Sequence, residues 1–147
     1  MRIRRFRDED ATAIARIIRR CLDLLGDHYS HDELSFMRAA YTPKRLIEKA
    51  ARGPMLVALV KDRVVGVARL EGDVVSTVYV DPDVHLEGIG SRLLTRIEGL
   101  AKERGCAKLA VESIVSAEGF YEGHGYVRTR RIRSDEYGTM IAMEKRF

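Results

Sequence analysis

A strand, a glycine-containing turn and a helix follow one another at residues 74–104, and this stretch carries the strongest chemical signal in the sequence. Valines and a tyrosine favour a strand over residues 74–80, which Pro82 ends because proline cannot donate a ladder hydrogen bond. Gly88 and Gly90 then open a helix whose apolar residues recur near a 3.6 period. Free amides and the dipole at such a helix start attract phosphate. The stretch therefore predicts an anion-binding turn, with an ordinary strand-to-helix connection as the alternative.

Two other phosphate-binding motifs are excluded by the residues of this turn. The turn has no Gly-Lys followed by Ser or Thr, so it is not a P-loop. It also lacks the third glycine of the dinucleotide-binding fingerprint. Neither motif therefore identifies the anion that the turn would hold.

The stretch as a whole resembles motif A of the GCN5-related N-acetyltransferases. The family pattern Gln/Arg-x-x-Gly-x-Gly/Ala falls on residues 85–90, which read His-Leu-Glu-Gly-Ile-Gly. Both glycines match, whereas His85 replaces the usual Gln or Arg and Glu87 stands where the family often has Lys or Arg. Residues 117–126 read Ala-Glu-Gly-Phe-Tyr-Glu-Gly-His-Gly-Tyr and are similar to the family's Ala-x-x-Phe-Tyr-Glu-x-x-Gly-Phe/Tyr segment. The motifs stand in the family's order, and the resemblance covers nearly the whole chain.

The resemblance implies that acetyl-CoA binds as a co-substrate. The diphosphate would lie on the turn and the first amides of the helix, and the Glu87 carboxylate is expected to point into solvent because it would repel phosphate. In the family, a main-chain N–H near a bulge at the end of the motif A strand polarises the thioester carbonyl. The implied cofactor-binding residues are Val78, Tyr79 and Val80 on the strand, and His85, Leu86, Glu87, Gly88, Ile89, Gly90 and Ser91 on the turn and helix.

The same resemblance implies a proton donor and leaves the base open. Tyr121 matches the family's tyrosine general acid, and a phenol of pKa about 10 can donate to a thiolate whose acid has a pKa of about 8.5. The alternative is that Tyr121 only packs a short helix. Many family members carry a Glu on the motif A strand, which has no carboxylate here, so Glu112 on the next strand is the candidate base. Water-mediated deprotonation is equally credible, and the further alternatives are Glu71, His28, His31 and Asp32.

Length and composition fit one domain over residues 1–147, with 46% hydrophobic residues arguing against disorder. No apolar run is long enough to span a membrane, and no signal peptide opens the chain. Cys21 and Cys106 show no metal-ligand spacing, which favours a reduced, cytoplasmic protein without a metal. A net charge of +4 suits an anionic cofactor but does not argue for DNA binding.

Propensity and turn signals predict the elements that position these residues. Asp8, Ser30 and Thr42 are the predicted N-caps of the first three helices, with Glu33 completing a capping box with Ser30. Strands are predicted at residues 2–7, 55–61, 64–70, 74–80, 107–112, 126–133 and 137–145, and helices at 8–26, 30–41, 43–53, 88–104 and 117–124. The corresponding order is written β-α-α-β-β-β-α-β-α-β-β, which counts one helix fewer between the first two strands than these ranges do. The resemblance implies the α+β acyl-CoA N-acyltransferase fold of this family, a central, mixed but mostly antiparallel sheet flanked by helices. In the family this sheet opens into a V that holds acetyl-CoA between the motif A strand and the next strand.

These expectations favour an N-acetyltransferase that moves the acetyl group of acetyl-CoA directly to an amine in a ternary complex. The acceptor would be a small-molecule amine or a protein or peptide amine, and a homodimer is one state that the sequence allows. No membrane and no specific nucleic acid are expected as partners. A non-catalytic acyl-CoA-binding or regulatory module is the alternative, because the strand Glu is missing and Ile114 stands where the family often has Asn. A nucleic-acid-binding strand is the third hypothesis, although a solvated edge explains its arginines better; these are Arg128, Arg130, Arg131 and Arg133.

Overall fold

The computed structural model of the chain describes residues 1–84 and 88–147. Its strands are β1 (Arg2–Arg5), β2 (Met55–Val60), β3 (Arg63–Glu71), β4 (Val74–Val80), β5 (Lys108–Ile114), β6 (Val127–Ser134) and β7 (Gly138–Arg146). Its helices are α1 (Ala11–Asp23), α2 (His31–Ala39), α3 (Pro43–Arg52), α4 (Ile89–Glu103) and α5 (Glu118–Gly123). Short 3-10 turns, Asp8–Asp10 and Val115–Ala117, precede α1 and α5. None of the helices described here has the length and apolar character needed to cross a membrane.

The strands form one seven-stranded sheet in the order β1-β2-β3-β4-β5-β7-β6. Neighbouring strands run antiparallel except β4 and β5, which are parallel and are joined through the crossover helix α4. The predicted mixed, mostly antiparallel sheet flanked by helices is therefore confirmed. Its parallel pair lies at the centre of the sheet, directly after the motif A strand.

Three helices separate β1 from β2, as the predicted ranges place them, whereas the predicted order counts two. The hydroxyl of Ser30 accepts a hydrogen bond from the Glu33 amide (3.1 Å), and the Glu33 carboxylate accepts one from the Ser30 amide (2.9 Å). The hydroxyl of Thr42 accepts from the Arg45 amide (3.3 Å) and starts α3 with proline at its first position. Both predicted caps are confirmed, and because each starts its own helix, residues 30–53 contain two helices.

The start of α1 differs from the prediction. Asp8 was expected to cap the helix, but it lies in the 3-10 turn, and α1 begins at Ala11. The buried carboxylate of Asp10 accepts hydrogen bonds from the Arg7 amide (2.8 Å) and from the Arg4 guanidinium (2.8 and 3.0 Å). Asp10 therefore closes this turn, because its carboxylate binds Arg4 of β1.

Apolar side chains cover both faces of the sheet. The face that carries α4 and α5 buries Leu93, Leu94, Ile97, Leu109 and Tyr126. The face that carries α1, α2 and α3 buries Ile14, Ile18, Leu22, Leu46 and Val67. The two layers hold the ends of β4 and β5 between α1 on one side and α5 on the other.

A bulge at Thr129 divides the arginines of β6 between the two faces of the sheet. Arg128 is the register partner of Met143 on β7, whereas Arg130 is the partner of the adjacent residue, Ala142. Successive β7 side chains point to opposite faces, so Arg128 and Arg130 do so as well.

Arg131 and Arg133 lie on the same face of the sheet as Arg128. Their register partners on β7 are Ile141 and Thr139, which point to the same face as Met143, the partner of Arg128. The guanidinium of Arg128 forms two hydrogen bonds of 2.6 Å with the carboxylate of Glu118 in α5. All four are exposed, as a solvated edge requires: Arg128, Arg130, Arg131 and Arg133.

Gly53, between α3 and β2, lies against the backbone of β3. A Cβ atom at this position would stand 2.1 Å from the carbonyl oxygen of Leu70. That oxygen cannot move away, because the amide of Leu70 is held by the Pro54 carbonyl at 2.9 Å. The close approach of the two chain segments therefore requires glycine.

We expect Gly53→Ala to lower the stability of the fold by about 1–3 kcal/mol, because the added methyl forces two backbone segments apart. Gly26→Ala is the matched control, since a Cβ there meets no atom within 4 Å. Thermal melts of the two variants measure the difference. Equal melting temperatures would show that the contact with Leu70 is not a constraint.

Candidate active site

The β4–β5 ladder is interrupted inside the sheet. The two strands pair through Val74 with Ala110 and through Val75 with Val111. Both continue well beyond these pairs, to Val80 and Ile114, without further pairing in the part of the chain that the structure describes. The V-shaped opening expected after the motif A strand is therefore present.

The backbone of β4 turns two amides toward this opening. The Asp81 amide donates to the Val65 carbonyl on the β3 side (2.7 Å). Since successive backbone groups of a strand alternate in direction, Tyr79 also faces β3, whereas Val78 and Val80 direct their N–H and C=O groups into the gap. These are the strand positions at which an amide-containing ligand could pair with β4.

The irregularity of β4 lies earlier than expected. The family resemblance predicts a bulge near residues 78–80, but the register with β3 shifts at Ser76, between the pairs of Val75 and Thr77. No sequence pattern identified Arg69 as part of this region, although its side chain is only 1% exposed. Its guanidinium donates to the Ser76 hydroxyl at 2.6 Å and to the Lys49 carbonyl at 3.1 Å. Arg69 therefore connects α3, β3 and the bulge at the point where β4 leaves β5.

Two adjacent cavities begin at the gap. The strand cleft, of about 280 Å³, lies between the diverging ends of β4 and β5, with α1 and Tyr121 as walls. The α2 groove, of about 500 Å³, extends from there below α2 and over β6 and β7. The two share the residues Val75, Ser76, Tyr79, Val111, Glu112 and Ile114. The two cavities therefore border each other at the point where β4 and β5 diverge.

Tyr121 lines the strand cleft from α5 and is 6% exposed. Its ring packs edge-on against Tyr126, with 5.6 Å between the ring centroids. Burial, with a smaller contribution from Tyr41, raises the pKa of Tyr121 well above that of an ordinary phenol. Among the described residues its hydroxyl has no hydrogen-bond partner, so a protonated donor is available to a ligand in the cleft.

Glu112 lines both cavities and is exposed. The other carboxylate of the α2 groove, Glu144, forms an ion pair with Lys108 (3.4 Å). Among the alternatives, Glu71 lies outside both cavities and pairs with Arg69 (2.9 Å).

The remaining alternatives, His28, His31 and Asp32, are exposed and line neither cavity. In the described ranges no three His, Cys, Asp or Glu side chains cluster as metal ligands would. Glu112 is therefore the candidate base that the fold brings to the cleft.

The predicted anion-binding turn leads into α4. Gly88 caps the helix with a left-handed backbone (φ +86°), a conformation that favours glycine. The first amides of α4, those of Ile89, Gly90 and Ser91, have no partner within the helix. The predicted binding residues His85, Leu86 and Glu87 lie outside the described residues.

The second motif packs on this helix start. A Cβ added at Gly90 would be 3.4 Å from the Phe120 ring, so the two segments approach closely. The Ser91 hydroxyl and His124 Nε2 are 2.9 Å apart and share a hydrogen bond. The two motifs that the sequence placed far apart therefore form one corner of the cleft.

Two further residues of the site had no clear signal in the sequence. Cys21 of α1 donates from its thiol to the Val80 carbonyl at 3.2 Å, inside the strand cleft. Tyr41, between α2 and α3, packs edge-on against Tyr79 with 5.7 Å between centroids. Burial raises the pKa of Cys21 to about 11, and the charge of Asp81 adds to the shift. Cys21 shares the helical spacing of the apolar residues of α1, but that spacing does not identify the residue that Cys21 faces.

Comparison with known proteins identifies similar chains. Residues 26–147 match the family model described as an acetyltransferase (GNAT) domain. The peptidyl-lysine N-acetyltransferase YjaB of Salmonella typhimurium is 31% identical over 137 residues, which cover 92% of this chain and 90% of the relative.

Solved structures share the fold. A GCN5-related N-acetyltransferase from Rhodopseudomonas palustris superposes with a TM-score of 0.92 at 28% identity, covering 99% of this chain and 95% of that one. The PaiA N-acetyltransferase of Thermoplasma acidophilum, solved in complex with coenzyme A, gives 0.85 at 19% identity, covering 99% and 98%.

We expect Cys21 to react slowly with iodoacetamide at pH 8, because with a pKa of about 11 roughly one thiol in a thousand is ionised there. Mass spectrometry of a Cys106→Ser variant, in which Cys21 is the remaining cysteine, measures the rate. The rate should rise about tenfold per pH unit up to pH ~10. Labelling at pH 8 as fast as that of a cysteine in a short peptide would contradict the burial of Cys21 in the cleft.

Proposed function

Since the chain belongs to the GNAT acetyltransferase family and is an acyltransferase, as predicted, we propose that it transfers the acetyl group of acetyl-CoA directly to an amine in a ternary complex. The observation that carries the proposal is the interrupted β4–β5 ladder, with Tyr121 and Glu112 on the cavities that begin there. Residues 1–147 act as one domain in this proposal. Two free cysteines support a reducing, cytoplasmic setting.

Acetyl-CoA fits the groups that the cleft offers. The amides of Val78 and Val80 would pair with the amide-containing pantetheine arm and polarise the thioester carbonyl. The first amides of α4, at Gly90 and Ser91, would bind the diphosphate together with the turn before them. The coenzyme A complex of the PaiA enzyme supports this assignment at the level of the fold. The remaining predicted contacts, Tyr79, Gly88 and Ile89, would line the same path.

Glu112 and Tyr121 would move the two protons of the reaction. Glu112, directly or through a water molecule, accepts the proton that the amine loses as its nitrogen bonds to the acetyl carbon. Tyr121 donates its proton to the sulfur as the carbon–sulfur bond breaks, and is reprotonated from solvent after the thiol leaves. Because burial disfavours the phenolate, we propose that this proton moves only as the negative charge forms on sulfur.

The acceptor enters through the α2 groove in this proposal. The groove joins the strand cleft at Glu112, so an amine that approaches along it meets the candidate base next to the thioester. A lysine side chain is a suitable acceptor, and the similarity to a peptidyl-lysine N-acetyltransferase supports this class.

We expect Gly90→Glu to abolish measurable CoA binding, because the new side chain would meet the Phe120 ring and add a negative charge at the diphosphate site. Calorimetry with CoA measures the affinity. Gly99→Glu is the matched control, since Gly99 is an exposed residue of the same helix with no atom within 4 Å of an added Cβ. Unchanged affinity in a folded Gly90→Glu protein would remove the helix start from the cofactor site.

We expect Tyr121→Phe to lower kcat by about 10²–10⁴-fold, because the thiolate then leaves without a proton donor. CoA binding and the melting temperature should change little, since the ring and its packing remain. The loss should shrink with a thioester of a more acidic thiol, which needs protonation less. Release of thiol from both thioesters, with wild type and variant, measures this. Equal rates on acetyl-CoA would exclude the general-acid role.

The raised pKa of Tyr121 also fixes the sign of the pH dependence. The phenol stays protonated, and therefore competent as a donor, above the ordinary tyrosine pKa of about 10. The kcat of the wild type should therefore show no decline up to pH ~10 that is absent from Tyr121→Phe. Such a decline would show that Tyr121 ionises as an ordinary phenol.

A further inference from the structure

The floor of the α2 groove carries one acidic and one basic side chain in the same row of the sheet. Glu112 of β5 is the register partner of Ala142 on β7, and Ala142 is the partner of Arg130 on β6. Register partners point to the same face, so Glu112 and Arg130 rise from this face two strand spacings, about 10 Å, apart. The methyl group of Ala142 leaves the space between them open.

The bulge in β6 is what brings Arg130 into this row. Without the bulge, strict alternation along β6 would place Arg130 on the same face as Arg128, which pairs with Glu118 on the far side of the sheet. The hydroxyl of Thr129 donates to the carbonyl of Ala142 at 3.1 Å. The local geometry that turns Arg130 into the groove is therefore held by a hydrogen bond.

Arg130 is the one basic side chain among the described residues that line the groove. It is exposed, and its guanidinium forms no ion pair with the part of the chain that the structure describes. Glu144, the nearby acidic alternative, is paired with Lys108. The guanidinium is thus free for an anion that comes with a ligand.

The next row on the same face is apolar. Ile114, Met140 and Ile132 are register partners across β5, β7 and β6, directly beside Glu112, Ala142 and Arg130. A ligand in the groove therefore meets hydrocarbon along one edge and opposite charges at the two ends of the other. An aliphatic chain with an amine at one end and an anion at the other matches this pattern.

We infer that Arg130 is a specificity-determining residue that binds a carboxylate of the acceptor, so that the substrates are amines carrying a carboxylate several bonds away. A lysine with a free carboxyl group belongs to this class. Its ε-amine would lie at Glu112 and its carboxylate on Arg130, where the planar guanidinium can form two parallel hydrogen bonds. This inference rests on the proposed function, because it assigns the acceptor of that reaction.

The test compares two acceptors that differ only in this carboxylate. Nα-acetyl-L-lysine and Nα-acetyl-L-lysinamide have the same reacting amine and the same aliphatic chain. We expect wild type to favour the free carboxylate in kcat/KM by about tenfold or more, the scale of a charge-assisted hydrogen bond. In Arg130→Gln the ratio of the two kcat/KM values should fall close to one.

Arg131→Gln is the matched control, because it removes the same charge from the neighbouring, exposed position on the opposite face. In Arg131→Gln the ratio of the two kcat/KM values should equal that of wild type. Equal use of both acceptors by wild type, or a preference that survives in Arg130→Gln, would overturn the inference while leaving the proposed function intact. Failure of a broad panel of amines to release thiol from acetyl-CoA would instead overturn the proposed function itself.

Discussion

The structure of the site depends on the point at which the backbone hydrogen-bond ladder between β4 and β5 ends. Paired strands satisfy each other's amides, and an unpaired amide away from water costs free energy comparable to a lost hydrogen bond. Here β4 leaves β5 after Val75, and the bulge at Ser76 is held by the buried guanidinium of Arg69. The amides of Val78 and Val80 therefore face a cleft instead of a strand. A ligand with its own amides could complete the ladder at this interruption.

The walls of the cleft come from elements that are well separated in the sequence. The second motif reaches the start of α4 through the contact of Phe120 with Gly90 and the hydrogen bond of His124 with Ser91. The same short helix places Tyr121 in the cleft. The predicted anion-binding helix start and the proposed proton donor thus lie in one packed corner. A shift of one would move the other, which supports their joint action on a single thioester.

Local physical chemistry is what the sequence determined by itself. Strand propensity, proline and glycine positions and the caps at Ser30 and Thr42 act over a few residues, and the predicted elements follow them. The two motifs indicated the family, the fold and Tyr121 for the same reason, because each is contiguous in the chain. The predicted cap at Asp8 was wrong because the side chain of Arg4, in the neighbouring strand β1, binds Asp10 instead.

Only the tertiary structure decided which residues complete the site. Cys21 reaches Val80 across a long sequence separation, and nothing in the α1 pattern identifies its partner. The face of Arg130 depends on one extra residue in β6, and a register shift of one residue reverses every later side chain. The raised pKa of Tyr121 comes from burial by neighbours that assemble only in the fold. Long-range register and desolvation, unlike propensity, have no signature within a short window of sequence.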